Sequence, residues 1–381
     1  MTHPISWGDA EIGGGKAQLI SLFPFSPLRS LRASVILVAA SRGMLEDSFG
    51  DPMTQLLDTI LLFSLPASGK SEVRRYLGSL TAEQCRHDFH MGPTLQLDDY
   101  PYVHLMHRID DELKALGLEY AYYQGPSRPF RDNWTWAVLI ELLNEDYADL
   151  IKSRHIQVAS AAQHLFDRLD AAHGKVGLAQ PMGELRHRDR LRLAEALEAE
   201  CRAELDTLNR QNAQDKAGRT LVIEAARGGA HGSVFPLCPP HGYESAFQTL
   251  APDILAKACV LYVWVDPAES RRKNIERGRP DGQGSILHHS VPMEVMLGQY
   301  GTDDMAWLME QSDRPGTIRV ERIVPTGDRY ETRIYHLPVA RFDNRNDLTT
   351  FVREDQKLWK SEDVQAIHRG LKAAFDQLAN S

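Results

Sequence analysis

The chain has 381 residues, 43% of them apolar, and a formal net charge of −9. This length accommodates one large domain, or one domain with an insertion, and the apolar share is ample for a packed core. The acidic balance disfavours a nucleic-acid surface as the main function, and no stretch approaches the roughly 20 uninterrupted apolar residues of a membrane span, so we expect neither nucleic acid nor membrane as a partner.

Cysteine spacing bears on the cellular compartment. The four cysteines lie far apart, with no Cys-x-x-Cys: Cys85, Cys201, Cys238 and Cys259. This spacing is more typical of a reducing compartment than of a disulfide framework, so we expect a cytoplasmic protein. His231 and His241 flank Cys238, but their spacing matches no standard zinc pattern and no fourth ligand is evident, which favours an ordinary loop.

The first 55 residues differ from the rest. A glycine run at 13–15 and a Pro-Phe-Ser-Pro segment near residue 25 predict an irregular N-terminal extension, in which residues 34–40 could form a short strand. We assign this extension no function.

Residues 56–381 are predicted to form one α/β domain. Five short apolar runs separated by helical patterns predict buried parallel strands, with helices on both faces of the sheet. The runs are residues 58–64, 93–98, 219–224, 258–265 and 333–342.

The first strand leads into Ser64-x-x-x-x-Gly69-Lys70-Ser71, the phosphate-binding loop pattern with Ser in place of its first Gly. The alternative is an accidental Gly-Lys-Ser in a loop. An amphipathic helix follows the motif, as a phosphate-binding loop requires and an accidental match does not. In such a loop, backbone N–H groups and a helix N-terminus converge on a polyphosphate. Lys70 would reach the β- and γ-phosphates, and the Ser71 hydroxyl would ligate Mg²⁺. The predicted nucleotide-binding residues here are Ser64, Pro66, Ala67, Ser68, Gly69, Lys70, Ser71 and Glu72.

The second strand ends in Asp98 and Asp99. The carboxyl ends of parallel strands line the ligand crevice of an open sheet, so either acid could accept the proton of an attacking hydroxyl or hold Mg²⁺ through water. A turn or helix-capping acid is the alternative.

A helical insertion of about residues 101–217 follows. Residues 145–170 and 184–210 each carry apolar side chains on one helical face, which favours a solvated helical hairpin packed on the domain. A homodimer or partner surface is the alternative.

The third strand ends in Glu224, followed by Gly228 and Gly229. Burying a carboxylate at this position costs free energy unless it has a partner. A Mg²⁺-bound water would be such a partner, and a structural ion pair is the alternative. The two glycines would let a substrate approach the backbone.

After the fourth strand, a predicted helix carries Arg271, Arg272 and Lys273 and ends near Arg277. Mobile guanidinium groups neutralise charge in phosphoryl transfer, so we expect Arg271 and Arg277 to be catalytic and the Gly-, Pro- and His-rich segment 279–300 to form a lid. A solvated basic helix end is the alternative. The last strand ends near Asn344, which is placed to meet a purine base; Asp347 could instead simply cap a helix.

Together these motifs resemble the P-loop kinase superfamily. Asp98-Asp99-Tyr100 is similar to the Asp-Asp-Phe-Tyr-type motif of uridine kinases and their ribulose-phosphate (phosphoribulokinase-like) and glycerate kinase relatives. Val222-Ile-Glu224 resembles their Val-Glu-Gly, and the arginine-rich run from Arg271 resembles their lid helix. The resemblance implies a three-layer P-loop NTPase fold with a kinase-type parallel sheet, ATP and Mg²⁺ as cofactors, and Asp98 or Asp99 as base. Ser64, the long insertion and the Ala after Glu224 depart from the family pattern.

The function expected from this resemblance is ATP-dependent transfer of phosphate to a hydroxyl of a small molecule. Two alternatives stay open: a nucleotide-hydrolysing switch, although no Asp-x-x-Gly follows the third strand, and a non-catalytic nucleotide-binding scaffold. The expected catalytic residues are Lys70, Asp98, Asp99, Arg271 and Arg277, and the metal-binding residues are Ser71 and Glu224. The acceptor-side candidates are Tyr100, Arg128, Arg131 and Trp134.

Overall fold

A computed structural model describes residues 56–278 and 290–381. These residues form a three-layer α/β fold around a six-stranded sheet, with the strand order β2-β3-β1-β4-β6-β5. The strands are β1 (Thr59–Phe63), β2 (Thr94–Asp98), β3 (Thr220–Ala225), β4 (Ala258–Trp264), β5 (Thr317–Thr326) and β6 (Arg329–Asp343). Neighbouring strands run parallel except β5, which is antiparallel to β6. The five predicted strands and their parallel arrangement are confirmed.

Strand β1 lies inside the sheet, between β3 and β4, and all five of its residues are buried. Successive side chains of a strand point to opposite faces. Ile60 and Leu62 therefore enter one core layer, whereas Leu61 and Phe63 enter the other. This double burial explains the continuous apolar run in the sequence.

Helices cover both faces of the sheet. One face carries α1 (Lys70–Gly78), α2 (Ala82–Phe89) and the C-terminal α12 (Ser361–Ala379), which share an apolar core with it. The other face carries α4 (Thr135–Ile151), α7 (Gly242–Thr249), α8 (Pro252–Leu255) and α11 (Met305–Gln311). Two further helices, α9 (Pro267–Arg277) and α10 (Met293–Gln299), lie between β4 and α11 in the chain.

The insertion is larger than the solvated helical hairpin that we expected, and its helices have other bounds. Residues 145–170 do not form one helix, because α4 ends at Ile151 and α5 begins at Ala161. Together with α3 (Tyr100–Ala115), α5 (Ala161–Lys175) and α6 (His187–Asn212), α4 builds a third apolar core. Ile140 and Leu143 of α4 also pack in the core under the sheet. The apolar faces of these helices are therefore part of the domain's interior, whereas α6 keeps an exposed charged face, as expected.

The sequence reading missed β5. Residues 329–338 of β6 pair with β5 alone, and only the end of β6, from Val339, pairs with β4. Several apolar side chains of this hairpin are exposed, including Ile323, Tyr330 and Ile334.

Some expectations fall outside the described residues: the 1–55 extension with its strand at 34–40, and positions 279–289 of the predicted lid. Among the described helices, none combines the length and apolar character needed to cross a bilayer.

Candidate functional site

The loop at residues 64–71 folds around the ammonium group of Lys70. Lys70 Nζ donates hydrogen bonds to the carbonyl oxygens of Ser64 (2.9 Å) and Leu65 (3.3 Å). The hydroxyls of Ser64 and Ser68 also bond to each other across the loop. Ser64, the departure from the standard motif, thus contributes a cross-link that glycine could not form.

Gly69 has to be glycine in this conformation. Its φ is +108°, and a Cβ built there would lie 2.5 Å from Thr349 Oγ1 and 2.6 Å from Asn344 Nδ2. A side chain would therefore be strained and would clash with the segment that follows β6.

Asn344 braces this loop from behind. Its side chain is fully buried and donates hydrogen bonds to Ser68 O (2.6 Å) and Thr349 Oγ1 (2.8 Å), while its Oδ1 accepts one from the Leu348 N–H. We expected Asn344 to meet a purine base, but its amide is engaged within the protein, so here it holds the loop in place. Asp347 accepts hydrogen bonds from Thr350 and pairs with Lys273 at 2.8 Å, but the N-cap position of the short helical turn that follows is Thr349.

Helix α1 begins directly after the loop, and no side chain caps its N-terminus. The first N–H groups of a helix have no intrahelical partner, and the helix dipole makes this end positive. Burial lowers the pKa of Lys70, and the carboxylates of Glu224, Asp99 and Asp98 oppose this shift. Loop, helix end and ammonium together form a place where an anion would be stabilised.

Asp98 and Glu224 lie side by side at the ends of β2 and β3, as directly paired residues of the parallel ladder. With Asp99, they line a cavity of about 470 Å³ to which Lys70 and Ser71 also contribute. The loop residues Pro66, Ala67 and Ser68 line the same cavity. The structure therefore brings together the predicted loop and the predicted strand-end acids.

The three acids have different partners. Asp99 is buried and ion-paired with Arg227 at 2.6 Å; burial raises its pKa, and Arg227 opposes this. Glu224 binds Arg74 at 2.5 Å, whereas Asp98 lies 3.7 Å from the same guanidinium. Burial, followed by the charges of Glu224 and Asp99, raises the pKa of Asp98 to about 8. Asp98 is thus the acid with the loosest ion pair and a pKa near neutrality.

The residues present could hold Mg²⁺ only together with a bound phosphate, which would supply further ligands. The described residues contain no group of three or more His, Cys, Asp or Glu side chains placed to hold a metal ion. Mg²⁺ usually keeps several waters and takes one or two protein ligands plus substrate phosphates. The Ser71 hydroxyl, which makes no hydrogen bond within the described chain, could supply one such ligand. The Glu224 carboxylate, which is paired with Arg74, could accept a hydrogen bond from a metal-bound water.

Of the two predicted catalytic arginines, only Arg277 lines the cavity. Its guanidinium lies 3.1 Å from Glu72, which also binds Arg353 at 2.6 Å. Glu72, expected to bind nucleotide, is completely buried between these two arginines and anchors α1 to α9. Arg271 lies outside the cavity lining, and its buried Nη1 has no hydrogen-bond partner among the described residues.

On the acceptor side, Tyr100 and Arg128 line the cavity, but Arg131 and Trp134 do not. Asp132 accepts a hydrogen bond from the Trp134 N–H, but the N-cap position of α4 is Trp134 and no side chain caps that helix. Five aromatic residues that line the cavity were not predicted from the sequence: His107, Tyr123, Phe130, Trp136 and Tyr300. The high density of aromatic residues between positions 120 and 136 could have indicated three of them.

Gly228 and Gly229 allow another backbone segment of the same protein to approach them closely. The Gly229 N–H donates to Thr302 O at 2.8 Å, and a Cβ on Gly228 would lie 2.5 Å from the same oxygen. These glycines therefore let the segment before α11 pack against the end of β3. We expected them to admit a substrate.

Comparison with known proteins gave no match, either to a protein-family model or to a curated protein.

Proposed function

We propose that this protein is a P-loop kinase, which transfers the γ-phosphoryl group of ATP to a hydroxyl of a small molecule. One observation carries the proposal: Lys70, Ser71 and the strand-end acids Asp98, Asp99 and Glu224 line one cavity. Phosphoryl transfer requires little more than positioning and charge stabilisation, and these residues are of the types that supply both.

The 64–71 loop and the uncapped start of α1 would hold the β- and γ-phosphates, with Lys70 as the cation nearest to them. Lys70 is held by the Ser64 and Leu65 carbonyls, so its position is set before a ligand binds. Pre-organised charge of this kind stabilises a transition state without reorganisation at the moment of reaction.

Asp98 is our choice for the general base. Asp99 is locked to Arg227, whereas Asp98 has a looser ion pair and a pKa of about 8, close to the working pH of most cells. A base with a pKa near the operating pH combines the correct protonation state with sufficient basicity.

Mg²⁺ would be held by Ser71 and, through water, by Glu224, and when bound it neutralises negative charge on the phosphates. Arg277 would add a second positive charge at the same side of the cavity. Its ion pair with Glu72 fixes that guanidinium to α1.

We keep the cytoplasm as the proposed compartment, since all four cysteines are unpaired in the structure. The homodimer through the helical insertion stays a prediction.

Replacing Lys70 tests the proposal. We expect Lys70→Ala to lower kcat/KM for phosphoryl transfer by about 10³-fold, because it removes a pre-organised charge from the transition state. The measurement is transfer of labelled γ-phosphate from ATP to small-molecule acceptors. Exposed Lys357 offers the matched control, and Lys357→Ala should act as wild type. Wild-type turnover by Lys70→Ala would refute the loop assignment.

A further inference from the structure

Five aromatic rings contact one another along the cavity. His107 stacks on Tyr123 with ring centroids 3.6 Å apart, and Tyr123 stacks on Phe130 at 4.7 Å. Trp136 then meets Phe130 edge-on at 4.8 Å and Tyr300 at 5.4 Å. We call these five residues the aromatic wall. All of them line the cavity that contains Lys70 and Asp98.

The aromatic wall lines the cavity with flat apolar surface, and its rings Tyr123, Phe130, Trp136 and Tyr300 are largely buried. Its rings come from four separate segments of the chain, α3, the loop before α4, α4 itself and the end of α10, so the fold gathers them here. The Tyr123 hydroxyl is already bonded to the Val103 carbonyl oxygen (3.2 Å). Aromatic side chains recognise ligand rings through offset-stacked and edge-to-face contacts. Polar side chains also line the cavity, among them His104, Asp111 and Gln299, so the choice of a ring over a sugar rests on the five contacting rings.

Charge in the cavity disfavours an anionic acceptor. Among the described lining residues, the Lys and Arg side chains are Lys70, Arg128 and Arg277. Arg128 is paired with Glu294 at 2.8 Å, and Arg277 with Glu72. Lys70 serves the 64–71 loop. An acceptor phosphate would therefore meet the cavity's carboxylates without an unpaired arginine to balance them.

We propose that the acceptor is an uncharged alcohol whose hydroxyl is carried by an aromatic or heteroaromatic ring system, and that the aromatic wall binds this ring. The inference rests on the proposed kinase function. In the transfer, the acceptor oxygen forms a bond to the γ-phosphorus, and the bond from that phosphorus to the β–γ bridging oxygen breaks. ADP leaves with the electron pair, and the hydroxyl proton passes to Asp98.

Two panels of probe acceptors test the inference. Tryptophol and pyridoxine represent aromatic alcohols; ribulose monophosphate and glucose represent the sugar class. Binding of each probe to the protein–ADP complex is measured by calorimetry, and transfer is measured separately with labelled ATP and Mg²⁺. We expect at least one aromatic alcohol to bind and to be phosphorylated with a kcat/KM at least about tenfold above the sugar class, as one or two ring contacts would give.

A pair of tryptophan variants isolates the aromatic wall. Trp136→Leu should raise the KM of the aromatic acceptor about tenfold. Trp307 is the control. It is less buried than Trp136, stacks on Phe235, and is not among the described residues that line the cavity. Trp307→Leu should leave that KM at the wild-type value, and circular dichroism establishes that both variants are folded.

The outcomes separate the two proposals. Preferred phosphorylation of the sugar class, or a Trp136→Leu variant with an unchanged acceptor KM, overturns the aromatic acceptor and leaves the kinase function intact. Absence of binding by both aromatic alcohols overturns it as well. Aromatic binding that Trp136→Leu weakens, with no transfer from ATP to either panel, supports the aromatic wall and overturns the kinase function.

Discussion

Asp98 and Asp99 are neighbours in the chain, but the fold gives them different roles. The sequence predicted two acids at a strand end and could not rank them. Their difference comes from two arginines that are remote in sequence. Arg227, after β3, lies 2.6 Å from Asp99, whereas Arg74, on α1, pairs with Glu224 and lies 3.7 Å from Asp98. The role of Asn344 could not be predicted from the sequence for a similar reason, because its hydrogen bond to Ser68 O joins residues 276 positions apart.

The charges around Asp98 predict a pH dependence. We expect kcat/KM for ATP, which reports ionisations of the free enzyme, to rise with pH through about 8 as Asp98 loses its proton. Glu224 raises the pKa of Asp98 and Arg74 lowers it. Glu224→Gln should therefore move the midpoint to lower pH, and Arg74→Met should move it to higher pH. Carboxyl NMR titration checks the assignment; equal midpoints in the two variants would contradict it.

Gly69 predicts a second single-residue effect. Gly69→Ala should lower both stability and nucleotide affinity, because it combines a positive φ with a clash against Thr349 and Asn344. The stability loss should exceed about 1 kcal/mol. A Cβ at Gly78, at the other end of α1, would meet nothing within 4 Å. Gly78→Ala therefore serves as the control, and chemical denaturation with nucleotide titration compares the two. Equal behaviour of both variants would argue against the loop geometry.

At the scale of elements, local patterns predicted most of the structure. The five parallel strands follow from continuous apolar runs, and α9 ends where Gly278 breaks it. The missed strand, β5, carried a recognisable alternation, with Ile318 and Val320 buried between more exposed neighbours. The order of the strands was not predictable, because it depends on which crossover each connection takes.

Glu72 connects three elements: α1, the end of α9, and the short helical turn Thr350–Arg353 that contains Arg353. Burial would raise the pKa of Glu72, but Arg277 and Arg353 hold it below its usual value. Its contribution to stability is therefore present above the unfolded-state pKa and is lost as the pH falls through the folded-state pKa.

We accordingly expect Glu72→Gln to reduce the free energy of unfolding by about 3 kcal/mol at neutral pH, since it leaves two arginines without their buried partner. Urea denaturation measures this effect. The surface pairs of Arg272 offer the control, because its side chain is 46% exposed and Arg272→Met should cost less than about 1 kcal/mol. A loss from Glu72→Gln no larger than that of the control would show that the three elements are held by other contacts.

At the scale of the whole molecule, the helical insertion and the sheet share their interior. The sequence predicted the position of the insertion and its amphipathic helices. It did not predict that α4 would pack against both the sheet and the other inserted helices, because periodicity gives the buried face but not the surface that covers it.

This shared interior predicts one cooperative unfolding transition. Leu143 on α4 is fully buried, and Leu143→Ala should lower the free energy of unfolding by about 2 to 5 kcal/mol. The fluorescence and circular dichroism transitions should shift together, as they do when a protein unfolds as one unit. Leu191 on α6 is 49% exposed, so Leu191→Ala should change stability by less than about 0.5 kcal/mol. Separate transitions for the insertion and the sheet would disprove a common core.

The hydrogen bond by which Asn344 supports the 64–71 loop has a consequence during synthesis of the protein. Domains fold as units, and the ribosome releases this loop long before it has made the asparagine that supports it. A nascent chain that ends before residue 344 lacks the hydrogen bond to Ser68 and the packing of Thr349 on Gly69. The ability to bind an anion should therefore arise only after residues 344–349 have left the ribosome.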